Sequence, residues 1–332
     1  MAARRRGKKK SGRSYAWRYR GRIVACVFVE VIIICALVIM IGWNKGVKEW
    51  FEQFEQPVLK EVDISGINSP NAILMQVRGG KILGEINGEA QIYPASMTKI
   101  MTVILGIENF DDLDEKITLT NEMFSGLYEQ DATQAGFQPG EEVRVIDLLY
   151  GAMLPSGAEC CIALADTISG SEADFAELMN KKAGKLGMEN THFCDSTGLH
   201  NPDHYSTVKD IAVLMKYCIK NDTFREIVET SRHSTGVTNI HPDGITYYST
   251  MFKNLSDPTV TGGKILGGKT GYTSEAGHCL VSFAEIEGRE YIFVSAGASG
   301  ADGNTIPHIQ DAVTVYNRVG AAIEAKMNDN NK

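Results

Sequence analysis

Cysteine and proline are few in this chain, and each low count excludes a class of protein. Seven cysteines and nine prolines in 332 residues rule out a disulfide-dense miniprotein and a proline-rich disordered chain. The 33 glycines follow no repeat, which excludes a collagen-like structure. With 43% hydrophobic residues, the chain is long enough to bury a sizeable core.

The cysteines show no metal-binding or disulfide pattern. Those beyond residue 43 are odd in number and lack C-x-x-C spacing: Cys160, Cys161, Cys194, Cys218 and Cys279. Adjacent cysteines do not readily join one bridge, so no disulfide framework is indicated. We predict buried free thiols, and no metal or organic cofactor.

Positive charge is scarce after residue 22. Ten Lys/Arg and no acid lie in residues 1–22, which leaves 23 basic and 41 acidic side chains, a net charge of −18, in residues 23–332. A body this acidic argues against nucleic acid as a partner.

One long hydrophobic run changes the interpretation of the basic arm. Residues 23–43 contain thirteen Ile, Leu, Val or Phe residues and a single charge, Glu30. Twenty-one residues suffice to cross a bilayer as a helix, and the apolar residues more than offset one carboxylate. The run lacks the short core and small-residue cleavage site of a signal peptide. We therefore expect a single-pass anchor with a cytoplasmic N-terminus and a body outside the cell membrane.

Hydrophobic periodicity predicts the elements of the body. Two pairs of apolar runs around glycine turns predict β-hairpins, at 72–77 with 81–86 and at 279–287 with 290–296. Helical patterns cover 97–110, 145–154, 158–168, 172–186, 206–220 and 306–325. Strands at both ends that enclose a block of helices predict a single α/β domain with an antiparallel sheet and a helical lobe. The predicted divisions are a basic arm 1–22, a transmembrane helix 23–43, a spacer 44–67, a catalytic domain 68–326 and a polar tail 327–332.

The motif Ser96-Met97-Thr98-Lys99 is a candidate nucleophile and base. On a helix, residues at i and i+3 lie on one face within mutual reach. A lysine activates a serine hydroxyl only if burial or a nearby cation lowers its pKa. The spacing alone is weak evidence, because Ser206 and Lys209 repeat it where a helix cap explains them better.

Two further motifs add candidate site residues. Lys269-Thr270-Gly271, followed by Tyr272, combines small residues, which let a substrate backbone approach a strand, with groups able to bind a carboxylate. Ser156 lies in a Pro-Ser-Gly break between two helices, where a loop can direct a hydroxyl group into a cleft.

Together the motifs resemble a known family. Ser96, Ser156 and Lys269 follow the order S-x-x-K, S-x-N, K-T-G of penicillin-recognising serine enzymes. The chain resembles the low-molecular-mass penicillin-binding D-alanyl-D-alanine carboxypeptidases over about residues 68–300. The similar segments are 93–99, 147–151, 179–188, 197–210 and 268–277.

The resemblance implies a penicillin-binding-protein or serine β-lactamase-like fold, and peptidoglycan stem peptides as substrate. Ser96 would attack the carbonyl between the two terminal D-alanines, Lys99 would take the proton and Ser156 would relay one to the leaving D-alanine. Lys269 and Thr270 would hold the terminal carboxylate. Gly271 would belong, with Lys269, Thr270 and Tyr272, to the strand that binds the substrate. The N–H groups of Ser96 and Tyr272 would form the oxyanion hole, and β-lactams would acylate Ser96.

One position departs from the family pattern. The second motif ends in Ala158, not Asn, and an alanine cannot bind the substrate amide or steady the two lysines. Glu159 follows it, and we expect a charge in the first turn of a helix, with contact to Lys99 as the alternative. Because this amide is missing, the protein could instead be a pseudoenzyme that binds wall peptides without cleaving them. Because an amine can attack the same acyl-enzyme, an endopeptidase or transpeptidase is a further alternative.

Two other activities are less well supported by the sequence. His200, Asp203 and His204 include zinc-ligand residue types, but they lie in a proline-containing loop without the helical H-x-x-x-H face. Glu177 loosely resembles the deacylating glutamate of class A β-lactamases, yet it falls in a helical pattern. The sequence therefore predicts a membrane-anchored, wall-facing serine D-Ala-D-Ala carboxypeptidase.

Overall fold

The computed structural model describes residues 59–255, 257–300 and 306–330. They belong to the second of two units into which the chain divides, Val58–Lys332. The predicted basic arm, the predicted transmembrane helix and most of the predicted spacer lie outside the described residues. Within the described ranges, no helix has both the length and the apolar character needed to cross a membrane.

An antiparallel six-stranded sheet forms the centre of this unit. Its strands lie in the order β2-β1-β10-β9-β8-β7, so that strands from both ends of the chain meet at its middle. They are β1 (Asn71–Gln76), β2 (Lys81–Ile86), β7 (Thr259–Val260), β8 (Gly263–Thr273), β9 (Gly277–Ile286) and β10 (Arg289–Ala298). Two small two-stranded sheets that the periodicity did not predict lie outside this sheet: β3 (Lys116–Thr118) with β4 (Glu142–Arg144), and β5 (Arg232–Ser234) with β6 (Thr246–Tyr248).

Both predicted hairpins of the large sheet are confirmed. Strands β9 and β10 are joined by Glu287 and Gly288, whose φ angles of 47° and 66° are both positive. Two consecutive positive φ angles are those of a type I′ turn, whose twist matches that of paired strands. Between β1 and β2, Gly79 and Gly80 have φ angles of 83° and 67° in a short 3₁₀ turn.

Alternating residues of the sheet face two separate cores. Ile73 and Val294, which are register partners, belong to the core shared with most helices. Their neighbours Leu74 and Phe293, also partners, belong to the core covered by the last helix. The helices are α1 (Lys99–Asn109), α2 (Val145–Met153), α3 (Ala158–Ser169), α4 (Glu172–Leu186), α5 (Val208–Cys218), α6 (Asp222–Glu229), α7 (Thr250–Asn254) and α8 (Pro307–Asn330).

The predicted helices are present, with corrections at their ends. Thr207 caps α5 by accepting a hydrogen bond from the backbone N–H of Asp210, as the sequence indicated. The last helix ends at Asn330, so it extends through most of the predicted polar tail 327–332. Helices α6 and α7 were not among the helical segments that the periodicity predicted.

The folded unit also begins earlier than the predicted boundary at residue 68. Leu59, Val62 and Ile64, which we assigned to the spacer, are buried in the core beneath α8. They are not helical, and the N–H of Val62 donates to the carbonyl of Leu83 at 2.8 Å. Alternating buried residues that bond to a strand place this segment against the edge of the sheet.

Candidate active site

Ser96 and Lys99 are brought together at the start of α1. Ser96 lies in a 3₁₀ turn, Ala95–Thr98, and Lys99 is the first residue of the helix that continues it. Lys99 Nζ lies 3.1 Å from Ser96 Oγ and donates a 2.6 Å hydrogen bond to the carbonyl oxygen of Thr197. A neutral amine held this way keeps a lone pair for the serine hydroxyl, as the activation of a serine requires.

The surroundings of Lys99 favour its neutral form. Lys99 is buried, and this burial lowers the pKa of its amine despite opposing attraction from Cys161, Asp195 and Glu159. Removing a charge from water is costly, so a buried lysine loses its proton at a lower pH than an exposed one. The pKa of the residue that the sequence predicted as the base is therefore shifted in the direction that a base requires.

Lys269 lies behind the catalytic pair and not on the exposed surface of the site. It is 1% exposed, and its Nζ donates to the carbonyl oxygen of Thr270 at 3.0 Å. Burial and the nearby charge of Lys99 together hold the pKa of Lys269 well below its usual range. From this buried position Lys269 is better placed to influence the charge state of Lys99 than to contact a ligand directly.

Two glycines, Gly271 and Gly198, pack closely against the turn that carries Ser96. A Cβ at Gly271 would lie 3.0 Å from the backbone nitrogen of Ser96, and one at Gly198 would lie 1.9 Å from the carbonyl oxygen of Ala95. Ala95 itself has a φ of 48°, which is uncommon for a residue with a side chain. The K-T-G strand thus packs against the nucleophile turn, which brings the N–H groups of Ser96 and Tyr272 into one region.

Ser156 projects from a strained loop between α2 and α3. Its φ is 73°, in the left-handed region that non-glycine residues seldom adopt, and it is largely buried. Gly157 follows it, and a Cβ there would lie 2.8 Å from the Cβ of Ala135. The surrounding packing therefore holds the loop in one conformation.

A groove of about 610 Å³ joins the predicted residues into one site. Ser96, Ser156, Thr270, Gly271 and Tyr272 all line it. The remaining predicted residues, Lys99 and Lys269, lie beneath its floor. All seven predicted site residues are thus placed in or directly behind one cleft.

Ala158, which stands where the family motif has Asn, does not line the groove. Ala158 is buried, and its N–H donates to the carbonyl of Thr133 at 2.8 Å. Glu159 lies in the first helical turn as expected, but it is fully buried, and its Oε1 accepts hydrogen bonds from the N–H groups of Ala135 at 2.6 Å and Gly136 at 3.0 Å. Burial raises the pKa of Glu159 despite these bonds. Its role is to hold the 133–136 segment, and it makes no hydrogen bond to Lys99.

A hydrogen-bond network that the sequence did not reveal holds Thr197, whose carbonyl oxygen accepts the hydrogen bond from Lys99. Asp195 Oδ1 accepts from the N–H groups of Thr197 and Gly198, each at 2.7 Å, and Oδ2 lies 3.1 Å from His204 Nδ1. His204 Nε2 in turn lies 2.8 Å from Thr98 Oγ1. Although burial opposes it, hydrogen bonds and the His204 interaction lower the pKa of Asp195 to about 2. From the sequence we considered His204 only as a possible zinc ligand, and nothing in the spacing paired it with Asp195 or with the Ser96 turn.

The structure does not assemble the alternative sites. Within the described ranges, no group of three His, Cys, Asp or Glu residues could hold a metal ion. His204 is committed to Asp195, whereas His200 packs edge-on against Tyr93 with ring centroids 4.8 Å apart. Glu177 is exposed on α4, away from the groove. The predicted free thiols outside the first 43 residues are confirmed, and all except Cys194 are buried.

Comparison with known proteins agrees with this geometry. D-alanyl-D-alanine carboxypeptidase DacF of Bacillus subtilis is 35% identical over 231 residues, which cover 69% of this chain and 57% of that protein. D-alanyl-D-alanine carboxypeptidase DacC of Escherichia coli is 33% identical over 262 residues, 71% of this chain and 58% of that protein. The chain therefore spans less than two thirds of the length of these two relatives.

Solved structures extend the likeness to the fold. The crystal structure of the Streptomyces K15 DD-transpeptidase superposes with a TM-score of 0.69 and 30% identity, covering 79% of this chain and all of that one. A D-alanyl-D-alanine carboxypeptidase from Mycobacterium tuberculosis, at 22% identity and a TM-score of 0.69, shares the fold. Residues 58–300 match the Peptidase S11 family, described as D-alanyl-D-alanine carboxypeptidase. The serine–lysine pair, the second serine and the K-T-G strand meet at this groove, and the family match covers most of the chain, so the chain belongs to this family of D-alanyl-D-alanine carboxypeptidases.

Proposed function

We propose that this protein is a serine-type D-alanyl-D-alanine carboxypeptidase that removes the terminal D-alanine from peptidoglycan stem pentapeptides. The observation that carries the proposal is the 3.1 Å separation between Ser96 Oγ and the amine of Lys99, which is buried and has a lowered pKa. A serine paired with an amine of lowered pKa at the edge of an open groove is equipped for acyl transfer.

The residues around the groove supply each step of acylation. Lys99 takes the hydroxyl proton while Ser96 Oγ forms a bond to the carbonyl carbon between the two D-alanines. The N–H groups of Ser96 and Tyr272 stabilise the oxyanion, a contribution typically worth on the order of 10²–10³ in rate for one donor. The peptide C–N bond then breaks, and Ser156 passes a proton to the departing amine. Water hydrolyses the ester, which releases the shortened peptide and restores the serine hydroxyl.

β-Lactams should follow the same route as far as the acyl-enzyme. The strained lactam carbonyl takes the place of the scissile amide, and opening the ring leaves the drug esterified to Ser96. Because the leaving amine stays tethered to the acyl group, it hinders the approach of water. This reasoning supports β-lactams as covalent inhibitors.

D-Alanine release tests the proposal. The full-length protein is incubated with an N-acetylated peptide ending in D-Ala-D-Ala, and free D-alanine is measured for the wild type, Ser96→Ala and Ser206→Ala. Ser206 belongs to the second S-x-x-K spacing, beside the cap of α5, and is the matched control. Release by the wild type and Ser206→Ala, and none by Ser96→Ala, supports the carboxypeptidase. Equal release by Ser96→Ala contradicts it.

A transpeptidase or endopeptidase is the second candidate, because the Streptomyces K15 relative of known structure is a DD-transpeptidase. The same acyl-enzyme forms a crosslink if an amine, and not water, attacks the ester. Adding a peptide with a free side-chain amine separates the two: a crosslinked product at the expense of hydrolysis favours transfer. A folded protein that neither hydrolyses nor transfers, and is not acylated, favours the pseudoenzyme that Ala158 leaves open.

We further propose that the body is held at the outer face of the cell membrane by residues 23–43. The support is the apolar run and the ten Lys/Arg residues before it, since cytoplasmic flanks of membrane helices carry an excess of positive charge. Protease added to intact cells, after the wall has been removed, should degrade the catalytic domain. Protection of the domain in intact cells would contradict this orientation.

A further inference from the structure

The groove contains almost no positive charge at its surface, although the proposed substrate ends in a carboxylate. Among the described residues that line it, none is Arg or Lys, and Asp131 adds a negative charge. Lys269 lies behind the floor, 1% exposed and with a depressed pKa. Only two lining residues of the described part, His278 and His308, are able to carry a positive charge.

The strand register directs His278 toward the substrate-binding face. His278 on β9 is the direct partner of Tyr272 on β8. Residues directly opposite each other in an antiparallel pair have side chains on the same face of the sheet, as do residues two apart on one strand. Thr270, Tyr272 and His278 therefore share a face, and all three line the groove.

Two neighbouring rings hold the imidazole of His278 in place. The ring of Tyr272, on the neighbouring strand β8, has its centroid 4.7 Å from that of His278. The ring of His308 on α8 stacks on His278 with centroids 5.0 Å apart and an angle of 6° between the planes. His308 is 5% exposed, and burial together with the nearby His278 lowers its pKa to about 4. At neutral pH His308 is therefore an uncharged flat surface, and its Nδ1 has no hydrogen-bond partner among the described residues.

We propose that His278 binds the terminal carboxylate of the substrate together with Thr270, and that His308 positions the His278 ring for this contact. The proposal rests on the proposed function and names the group that gives the site its preference for a free carboxyl terminus. Hydrogen bonds to charged groups are stronger than those between neutral groups, so losing this contact should weaken recognition by about ten- to a hundredfold.

The experiment compares two peptides that differ only at the carboxyl terminus. One ends in D-Ala-D-Ala and the other in D-Ala-D-alaninamide, and kcat/KM is measured for both with the full-length protein. The variants are His278→Gln, His278→Arg and the control His192→Gln, an exposed histidine that does not line the groove. Thermal unfolding of each variant reports on its fold.

We expect His278→Gln to lower kcat/KM for the acid by at least tenfold, through KM, and to change the value for the amide less than twofold. His278→Arg replaces the imidazole with another hydrogen-bond donor, the guanidinium group, and should keep the value for the acid within about threefold of the wild type, as should His192→Gln. Equal losses on both peptides would reveal a purely structural role, and no loss on either would remove His278 from recognition. Both results overturn the proposal.

The same peptides separate this proposal from the proposed function. If the wild type cleaves neither peptide, the carboxypeptidase assignment fails, and binding to Ser96→Ala then tests recognition alone. Tighter binding of the acid than of the amide, with the difference lost in Ser96→Ala/His278→Gln, supports the carboxylate contact without catalysis. An equal affinity for the two peptides in Ser96→Ala contradicts it.

Discussion

Substituting Gly271 by alanine tests whether the K-T-G strand positions the nucleophile. The added Cβ would lie 3.0 Å from the nitrogen of Ser96, 3.1 Å from the Cβ of Ala95 and 3.2 Å from the carbonyl oxygen of Pro94. Real Cβ atoms rarely come so close, so the nucleophile turn must move by a few tenths of an ångström. A misplacement of about 1 Å at a catalytic centre costs on the order of 10²-fold in rate. We therefore expect kcat/KM to fall by about ten- to a hundredfold.

Two assays and one control make this prediction specific. D-Alanine release and the rate of Ser96 acylation by a β-lactam should fall together, because both use the same oxyanion donors. Gly184→Ala is the matched control, since a Cβ there meets nothing within 4 Å and the residue lies inside α4. That change should leave activity intact and stabilise the helix by about 0.5–1 kcal/mol. Activity within twofold of the wild type in folded Gly271→Ala would refute the reasoning.

Three further predictions follow from the groups around the nucleophile. A base must be deprotonated to act and the pKa of Lys99 is lowered, so kcat/KM should rise with pH and reach a plateau at a pH below the usual pKa range of lysine. Lys99→Arg should abolish this activity, and residual activity with an unchanged pH profile would exclude Lys99 as the base. Ser156→Ala should lower kcat by about 10²–10⁴ with little change in KM, as loss of a proton relay requires, and a change confined to KM would indicate binding instead. The pKa of Asp195, lowered from 3.8 to about 2, stabilises the fold by about 2 kcal/mol above pH 4, and this contribution is lost as pH falls toward 2. Urea unfolding of Asp195→Asn should therefore show a deficit at pH 6 that shrinks near pH 2, and a deficit independent of pH would point to lost packing.

Local signals explain why much of the fold was predictable. Gly79-Gly80 and Glu287-Gly288 mark turns whose positive φ angles only a few residue types adopt readily, and the flanking apolar runs follow. The cap of α5 by Thr207 was likewise visible, and it explains the second S-x-x-K: Lys209 pairs with Glu89 at the surface and takes no part in the groove. Such features depend on a few consecutive residues.

Features that depend on contacts between distant parts of the chain could not be predicted from the sequence. Strands β3 and β5 are only three residues long, and each pairs with a strand beyond a long connection, too far for a turn signal to predict. Leu59 belongs to the core because it packs beneath α8, which begins almost 250 residues later. A charge in a helical first turn is usually exposed, yet Glu159 is buried because the 133–136 segment offers it backbone N–H groups.

The candidate site shows the same division. The order of three motifs predicted Ser96, Ser156 and Lys269; the two serines line the groove and Lys269 is buried behind it. The position of Lys269 behind the floor could not be predicted, because it depends on the depth at which β8 packs against the nucleophile turn. His278 was missed because its relation to Tyr272 is a matter of register across a turn, which the motif pattern does not encode.

Covalent trapping tests the central claim most directly. The full-length protein is exposed to a β-lactam, and the mass of the intact protein and of its proteolytic peptides is measured. The account predicts one adduct with the mass of the opened drug, located on Ser96 and lost in Ser96→Ala, while Ser206→Ala is still labelled. An adduct on another residue, or none on a folded wild-type protein, would contradict the assignment of Ser96 as the nucleophile.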